Sequence, residues 1–198
     1  MSTQPKPFLT VEEFLANEEK AEFRSEYFAG ETFAMAGGTE NHTLIKVRLA
    51  HLIEGHLEDR QCRVYDSDLM VRVVATGLLT YPDVSVVCGP SQLEGGPHRD
   101  RVLLNPNLII EVLSPSTEAY DRGRKFEHYR TIPSLEQFVL VSSERVHADV
   151  FTRGNDDLWV LASCSKPDDV MHLTSIGCTI RLGDLYKRTD LLEPAPAV

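Results

Sequence analysis

The stretch Leu108-Ile109-Ile110-Glu111-Val112-Leu113 decides the fold of this chain. It is too short for most helices and rich in β-branched residues, so it predicts a buried β-strand. Glu111 is the anomaly, because burying an ionised carboxylate without a partner costs several kcal/mol or more. The strand therefore requires a cation, a proton or a metal ion beside Glu111.

A helix that carries cations follows this strand. Residues 114–117, Ser-Pro-Ser-Thr, break the strand and offer hydroxyl caps for a helix over residues 118–130. Gly123 weakens that helix by about 1 kcal/mol. Basic residues outnumber acidic ones between positions 121 and 130: Arg122, Arg124, Lys125 and Arg130 against Asp121 and Glu127. This helix can therefore meet a phosphate.

A short helix and a β-hairpin are predicted near the N-terminus. Thr10 and Glu13 form a capping-box pattern ahead of apolar residues, which is typical of a helix start. Residues 25–35 indicate two strand pieces around an Ala-Gly turn. Glu26 lies in the first of these pieces.

A long amphipathic helix is predicted over residues 40–59, and its inward face begins near His42. On spacing alone, His42 is more often a hydrogen-bonded residue of a helix start than a catalytic one. Residues 62–74 alternate in polarity and predict one strand with its odd-numbered side chains toward the core. The inward helix positions are Ile45, Leu49, Leu52, Ile53 and Leu57.

The segment Tyr81-Pro82-Asp83-Val84-Ser85-Val86-Val87 predicts another strand. Its proline fits only a first residue or an edge, which puts Asp83 at the mouth of the strand. A polar Gly/Pro loop over residues 89–100 leads to the Glu111 strand, and Arg99 and Arg101 lie at its end. Further short strands are expected at residues 135–141, 147–151, 158–162, 171–176 and 179–182.

Size and composition indicate one globular domain over residues 1–198, with flexible tails at residues 1–8 and 190–198. The N-terminus lacks the apolar core of a signal peptide, and no apolar run reaches the roughly 18 residues of a membrane span. A cytoplasmic protein without membrane contact is therefore expected. The four cysteines are far apart without a Cys-x-x-Cys pair, so they are interpreted as buried free thiols.

The net charge of −10 limits any nucleic-acid hypothesis, because phosphate binding depends mainly on Lys and Arg. Contact with DNA must therefore be local or weak. Two carboxylates with a lysine nevertheless form a known kind of chemical site. Asp83 and Glu111 suffice to hold a hard cation such as Mg²⁺, which keeps several waters, and Lys125 can orient or activate one of them.

The ordered set of motifs resembles the Uma-type family of the PD-(D/E)XK (restriction-endonuclease-like) nuclease superfamily. The resemblance runs from Val11 to about Tyr186. It departs from the superfamily pattern at Leu113, where a lysine is usual, and the family places that lysine on the following helix, where Lys125 matches. The segment Glu136-Gln137-Phe138-Val139-Leu140-Val141 also lacks the usual tryptophan and terminal aspartate. The matching motifs are Tyr81-Pro82-Asp83-Val84, Ile110-Glu111-Val112-Leu113-Ser114-Pro115-Ser116-Thr117, Asp121 with Lys125 and Tyr129, Glu26-Tyr27 with Gly30-Glu31, and His42.

This resemblance implies an α/β core with a central mixed sheet flanked by helices, to which the C-terminal strands are added. It implies an endonuclease that hydrolyses nucleic acid, with DNA the expected substrate, through a metal-activated water. Asp83 and Glu111 would bind Mg²⁺ or Mn²⁺, Lys125 would be the catalytic lysine and Glu26 an accessory carboxylate. His42, Arg122 and Arg124 are candidate phosphate contacts, and a homodimer is expected because enzymes that cut both strands often work as symmetric dimers.

Other interpretations stay open at this stage. Glu111 could pair with a buried arginine, Asp83 could cap a turn, and Glu26 could be solvated. Asp121 and Lys125, spaced i and i+4, could form an ordinary surface pair. The whole protein could be a binding or assembly module that kept a nuclease fold without catalysis, or a hydrolase of another phosphate ester.

Overall fold

The computed structural model describes residues 8–35, 37–58, 60–95 and 101–192. Its helical segments are α1 (Val11–Glu18), α2 (Glu40–Leu57), α3 (Glu118–Tyr120), a π-helical turn (Asp121–Lys125), α4 (Phe126–Tyr129), a 3₁₀ turn (Asn155–Asp157) and α5 (Leu182–Leu185). Its strands are β1 (Ser25–Phe28), β2 (Glu31–Ala34), β3 (Cys62–Asp66), β4 (Met70–Val73), β5 (Leu78–Thr80), β6 (Val84–Cys88), β7 (Val102–Leu103), β8 (Leu108–Leu113), β9 (Gln137–Ser142), β10 (Ala148–Arg153), β11 (Trp159–Cys164), β12 (Val170–Leu173) and β13 (Cys178–Arg181).

A six-stranded mixed sheet in the order β11-β10-β9-β8-β6-β3 forms the centre of the molecule. The β8 strand lies inside it, parallel to β9 and antiparallel to β6, and all six of its residues are buried. The predicted buried strand around Glu111 is therefore confirmed. Burial on both faces explains its nearly continuous apolar sequence, because a strand covered on both sides has no solvent-facing position.

The two faces of β8 enter two different cores. Ile110 and Val112 pack with the inward residues of α2, whereas Ile109 and Leu113 join a second core on the other face. Since side chains alternate along a strand, Glu111 lies on the second face with Ile109 and Leu113. That face is covered by the helical segments that follow β8, through Tyr129.

A second sheet, in the order β2-β1-β5-β4-β7, packs with α1 around Phe14, Tyr27, Met70 and Leu79. The predicted capping box at Thr10 and the hairpin of β1 and β2 are both confirmed. This sheet brings Glu26 of β1 and Thr80 of β5 into hydrogen-bonding contact. The hairpin thereby supplies one carboxylate to the interior of the molecule.

The prediction of one continuous strand over residues 62–74 is wrong. The structure has β3 in the six-stranded sheet and β4 in the five-stranded sheet, joined by a turn at residues 67–69. The Asp66 side chain accepts a 2.9 Å hydrogen bond from the backbone nitrogen of Asp68, which is a local turn stabilised by an aspartate. Val71 and Val73 are buried as predicted, but Met70 on the opposite face is buried too.

The prediction of four free cysteine thiols is also wrong. Cys62 and Cys88 lie opposite one another on β3 and β6 and form a disulfide, while Cys164 and Cys178 are free. Their 26-residue separation in sequence gave no pairing signal, because connectivity depends on strand register rather than on spacing.

The C-terminal strands are present as expected. Strands β10 and β11 extend the six-stranded sheet, whereas β12 and β13 form a separate hairpin that covers the α2 core together with α5. Of the predicted tails, residues 1–7 and 193–198 lie outside the described residues, and Leu191 and Leu192 pack against that core. Residues 59 and 96–100, including Arg99, also lie outside them. None of the helices in the described ranges combines the length and apolar character needed to cross a membrane.

Candidate active site

The Glu111 carboxylate lies in the interior beside Lys125, and only 4% of the residue is exposed. Its Oε1 is 3.0 Å from Nζ of Lys125 and accepts a 2.7 Å hydrogen bond from the hydroxyl of Tyr129. The cation beside this buried carboxylate is thus a lysine, and the alternative of a buried arginine is wrong.

Lys125 is the centre of a buried carboxylate cluster, defined by Lys125 with Glu26, Glu111 and Asp121. Its Nζ lies 2.9 Å from Oε1 of Glu26, 3.0 Å from Oε1 of Glu111 and 3.5 Å from Oδ1 of Asp121. All four residues are buried. One cation therefore faces three carboxylates in a region of low dielectric, and a further positive charge or a bound proton would stabilise the cluster.

The π-helical turn explains how both Asp121 and Lys125 face inward. The segment was predicted as an ordinary helix with these two residues open to an exposed i, i+4 pair, whereas the structure widens one turn at residues 121–125. Asp121 and Lys125 are buried there, while Gly123 and Arg124 between them are exposed. π-turns inside α-helices are frequent at functional sites because they redirect side chains.

Glu26 holds Lys125 from the side of the second sheet. Its Oε1 also accepts a hydrogen bond from the Thr80 hydroxyl, and its Oε2 accepts a 3.2 Å hydrogen bond from the hydroxyl of Tyr120. Both oxygens of Glu26 are therefore engaged within the protein. The alternative that Glu26 is a solvated strand residue is wrong, since it is 6% exposed.

Burial dominates the electrostatics of the cluster. Burial, opposed by Lys125 and reinforced by the charges of Asp121 and Asp83, raises the pKa of Glu111 to about 8. Burial likewise raises the pKa of Asp121. Burial alone would lower the pKa of Lys125. The neighbouring side chains of Glu111, Tyr129, Glu26 and Asp121 outweigh burial and raise this pKa well above its usual value. Lys125 is therefore protonated at neutral pH.

Asp83 reaches the same strand from β6. The antiparallel register pairs Val84 with Ile110, so one step further along it places Asp83 opposite Glu111. Its Oδ2 accepts a 2.8 Å hydrogen bond from the backbone nitrogen of Val112 and lies 3.3 Å from Nε2 of His42 on α2. The side chain of Asp83 is 13% exposed and that of Glu111 only 5%, so Asp83 lies nearer to solvent than the carboxylate cluster.

The donor chemistry of Asp83 and Glu111 fits a hard divalent cation. The contacts above use Oδ2 of Asp83 and Oε1 of Glu111, which leaves a second oxygen on each carboxylate. Mg²⁺ is commonly bound through one or two carboxylates and keeps its other ligands as water. Among the described residues, no three His, Cys, Asp or Glu side chains are arranged as a metal-binding group.

The two arginines predicted to contact phosphate, Arg122 and Arg124, lie outside the carboxylate cluster. Arg122 points away from the cluster and pairs with Glu118 at 2.8 Å and with Asp149 at 2.6 Å. Arg124 is exposed on the π-helical turn. No sequence pattern indicated Thr80 or Tyr120 as partners of Glu26, or Asp149 as the partner of Arg122. Tyr129 was part of the matching family motif, and it lies four residues after Lys125 and so on the same helix face.

The six-stranded mixed sheet, the flanking helices and the strand carboxylate facing a helix lysine define a protein of the restriction-endonuclease-like α/β class. A family model described as "Uma2: Putative restriction endonuclease" matches residues 11–182. The chain belongs to this Uma2 family, and the family description indicates a nuclease.

Relatives and a solved structure agree with this assignment. The chain is 40% identical to the uncharacterised protein slr1290 of Synechocystis sp. (strain ATCC 27184 / PCC 6803 / Kazusa) over 183 residues, which cover 92% of this chain and 94% of the relative. It is 32% identical to the uncharacterised protein sll1609 of the same organism over 153 residues, covering 77% and 85%. The crystal structure of "a putative nuclease belonging to DUF820" from Anabaena variabilis superposes with a TM-score of 0.69 at 19% identity, covering 87% of this chain and 96% of that one. This likeness shows the shared fold.

Proposed function

We propose that the protein is a metal-dependent endonuclease that hydrolyses phosphodiester bonds in nucleic acid, with DNA as its substrate. One observation carries the proposal: Asp83 lies opposite Glu111 in the register of β6 and β8, and Nζ of Lys125 lies 3.0 Å from the Glu111 carboxylate. Two carboxylates and a lysine on adjacent central strands and their following helix are the residue types that this chemistry requires.

Each residue has a definite role in this proposal. Asp83 and Glu111 would hold Mg²⁺ or Mn²⁺. A divalent cation bound there supplies an acidified water and neutralises charge that develops at a phosphate. Lys125 presents its ammonium group beside Glu111 and orients the attacking water. Glu26 and Asp121 fix the position of that ammonium group.

Substrate contacts come from the rim of the cluster. His42 contacts Asp83 directly and so lies next to the reacting phosphate in this proposal. Arg124 is exposed on the turn that carries Lys125 and is available to a backbone phosphate. Arg122 is engaged by Glu118 and Asp149, which assigns it to holding the turn rather than to binding substrate.

A plasmid-nicking assay tests the function. With Mg²⁺ or Mn²⁺ the native protein should convert supercoiled plasmid to open circles, and EDTA should abolish the reaction. Glu111→Gln and Asp83→Asn should each lower the rate by at least about a hundredfold, the scale of losing a group that stabilises charge in the transition state. Glu127→Gln, which changes an exposed glutamate on α4, is the matched control and should leave the rate unchanged. Equal rates for Glu111→Gln and the control would contradict the proposal.

A second candidate is a nuclease-fold binding or assembly module without catalysis. It is favoured by one observation, since Lys125 already places a positive charge against Glu111. Titration calorimetry separates the two functions. A nuclease should bind Mn²⁺ with a heat that disappears in Asp83→Asn, whereas a silent module should show no such heat.

We also propose that the active form is a homodimer, because a symmetric pair of sites can cut both strands of a duplex. Sedimentation equilibrium should give twice the chain mass. A monomer that nevertheless makes double-strand breaks would contradict this arrangement.

A further inference from the structure

Lys46 lies on the same face of α2 as His42, four residues further along. Its Nζ donates a 3.1 Å hydrogen bond to the hydroxyl of Ser67 in the turn between β3 and β4. Both side chains are half-buried. The ammonium group is thus held in a defined place by a neutral partner.

Lys46 differs from Lys125, Arg122 and Arg24, each of which is balanced by one or more carboxylates. Lys125 faces Glu26, Glu111 and Asp121, and Arg122 faces Glu118 and Asp149. Arg24, which also approaches Ser67, pairs with Asp68 at 2.6 Å. Within the described ranges, no carboxylate lies in salt-bridge contact with Nζ of Lys46.

Lys46 lies near Asp83, because both are positioned beside His42 at the start of α2. His42 lies 3.3 Å from Asp83, and Lys46 is four residues, or roughly 6 Å, further along α2. On the other side, Arg24 stacks over Tyr81, two residues before Asp83, and donates to the carbonyl oxygen of Ser67. The turn that carries Ser67 is therefore fixed beside the segment that carries Asp83.

We propose that Lys46 and Ser67 form a binding site for a backbone phosphate of the nucleic acid, next to the phosphate at Asp83 and Glu111. An ammonium and a hydroxyl are both common phosphate ligands, and Ser67 can turn its proton toward a phosphate oxygen. The inference rests on the proposed nuclease function and names a substrate contact for it. It also explains how a chain of net charge −10 meets a polyanion, since the contact is a local, unbalanced cation.

Salt-dependent DNA binding tests this site without catalysis. Fluorescence anisotropy of a short labelled DNA duplex is measured in EDTA over a series of NaCl concentrations. Lys46→Met should weaken binding and reduce the slope of log K against log salt by about 0.9, the contribution of one phosphate contact. Lys46→Arg should keep the slope of the native chain.

Lys166→Met is the matched control, because it removes the same charge from an exposed lysine between β11 and β12. Its slope should equal that of the native chain. If Lys46→Met does not fold, Lys46→Gln takes its place with the same expected slope. Equal slopes for the Lys46 and Lys166 variants, or no duplex binding by the native chain, would overturn the inference. Native binding with the expected Lys46 effect but no nicking in Mg²⁺ would support the site while refuting the nuclease proposal.

Discussion

A single buried lysine organises the residues around Glu111. The Glu111 carboxylate inside β8 lies 3.0 Å from Nζ of Lys125 and accepts a 2.7 Å hydrogen bond from the hydroxyl of Tyr129. The same ammonium group also contacts Glu26 and Asp121. A cluster with one cation and three carboxylates is costly to bury, so a bound proton or a second cation would stabilise it.

Replacing Lys125 by methionine should therefore affect both stability and activity. Lys125→Met leaves three buried carboxylates without their cation and should lower the free energy of unfolding by about 3–5 kcal/mol, as well as abolish nicking. Urea unfolding measures the first effect. Lys166→Met, at an exposed position, should change stability by no more than about 0.5 kcal/mol. A loss for Lys125→Met that is no larger than the control's would show that the cluster is not energetically coupled.

Asp149 should make the free energy of unfolding fall as the pH becomes acidic. Although burial opposes its charge, hydrogen bonds from Ser163 and Arg122 hold the pKa of Asp149 below its ordinary value. A depressed folded-state pKa contributes stability above the unfolded pKa of about 3.9, and that stability is lost as the pH falls through the folded pKa. Asp149→Asn should therefore cost about 1–3 kcal/mol at neutral pH, with a difference from the native protein that shrinks below about pH 4.

Denaturant melts across the acidic range measure this effect. Asp156→Asn, an exposed change in the 3₁₀ turn, should match the native protein at every pH. A constant difference between Asp149→Asn and the native protein down to the lowest pH would contradict the assigned role of Asp149.

At the scale of elements, the π-helical turn determines which residues face the site. The sequence predicted a helix over residues 118–130, and the structure has consecutive helical segments over residues 118–129. It did not predict the widened turn, because in so short a segment no residue type or spacing separates a π-helical turn from an α-helical one. That turn buries Asp121 with Lys125 and directs Arg122 to Asp149.

Gly123 tests the conformation of this turn. A Cβ built there meets no atom within 4 Å, so Gly123→Ala should raise the free energy of unfolding by about 0.5–1 kcal/mol through reduced freedom of the unfolded chain. Nicking should be unchanged. Gly30→Ala is the opposing case, since Gly30 has a φ of +84° and its Cβ would meet the ring of Phe8, and it should destabilise. Destabilisation by Gly123→Ala would mean that the turn is not helical.

The cross-strand disulfide between β3 and β6 can be checked by counting thiols. Protein purified without reductant and unfolded in guanidinium should show two reactive thiols, Cys164 and Cys178, and four after reduction. Cys164→Ser should reduce the first count to one. Four thiols without reductant would show that Cys62 and Cys88 are unbonded, as is usual for cytosolic proteins.

At the scale of the whole molecule, the sequence predicted individual strands and helices, and the family resemblance predicted the fold class. The α/β class, which the family resemblance implied, and the C-terminal strands, which hydrophobic periodicity indicated, were both predicted correctly. The division of residues 62–74 between two sheets was missed, since alternation continues through Ser67 and strand pairing depends on distant partners. The disulfide was missed for the same reason.

In the candidate site, the charged residues were predicted from the sequence, whereas most of their hydroxyl partners were not. The predicted residues Glu26, Glu111 and Lys125 lie in contact, and Asp83 lies opposite Glu111. The hydroxyl groups that complete the cluster, on Thr80, Tyr120 and Tyr129, are contributed by three different elements. Neither Thr80 nor Tyr120 carries a sequence pattern that separates it from an ordinary structural residue, so only the tertiary structure reveals them.

The central claim is that Asp83 and Glu111 share a divalent ion beside Lys125. Anomalous diffraction from a crystal soaked in Mn²⁺ tests it most directly. We expect a Mn²⁺ peak within coordination distance, about 2.0–2.4 Å, of one oxygen from each of the two carboxylates. Full Mn²⁺ occupancy elsewhere on the molecule, with no peak between Asp83 and Glu111, would contradict it.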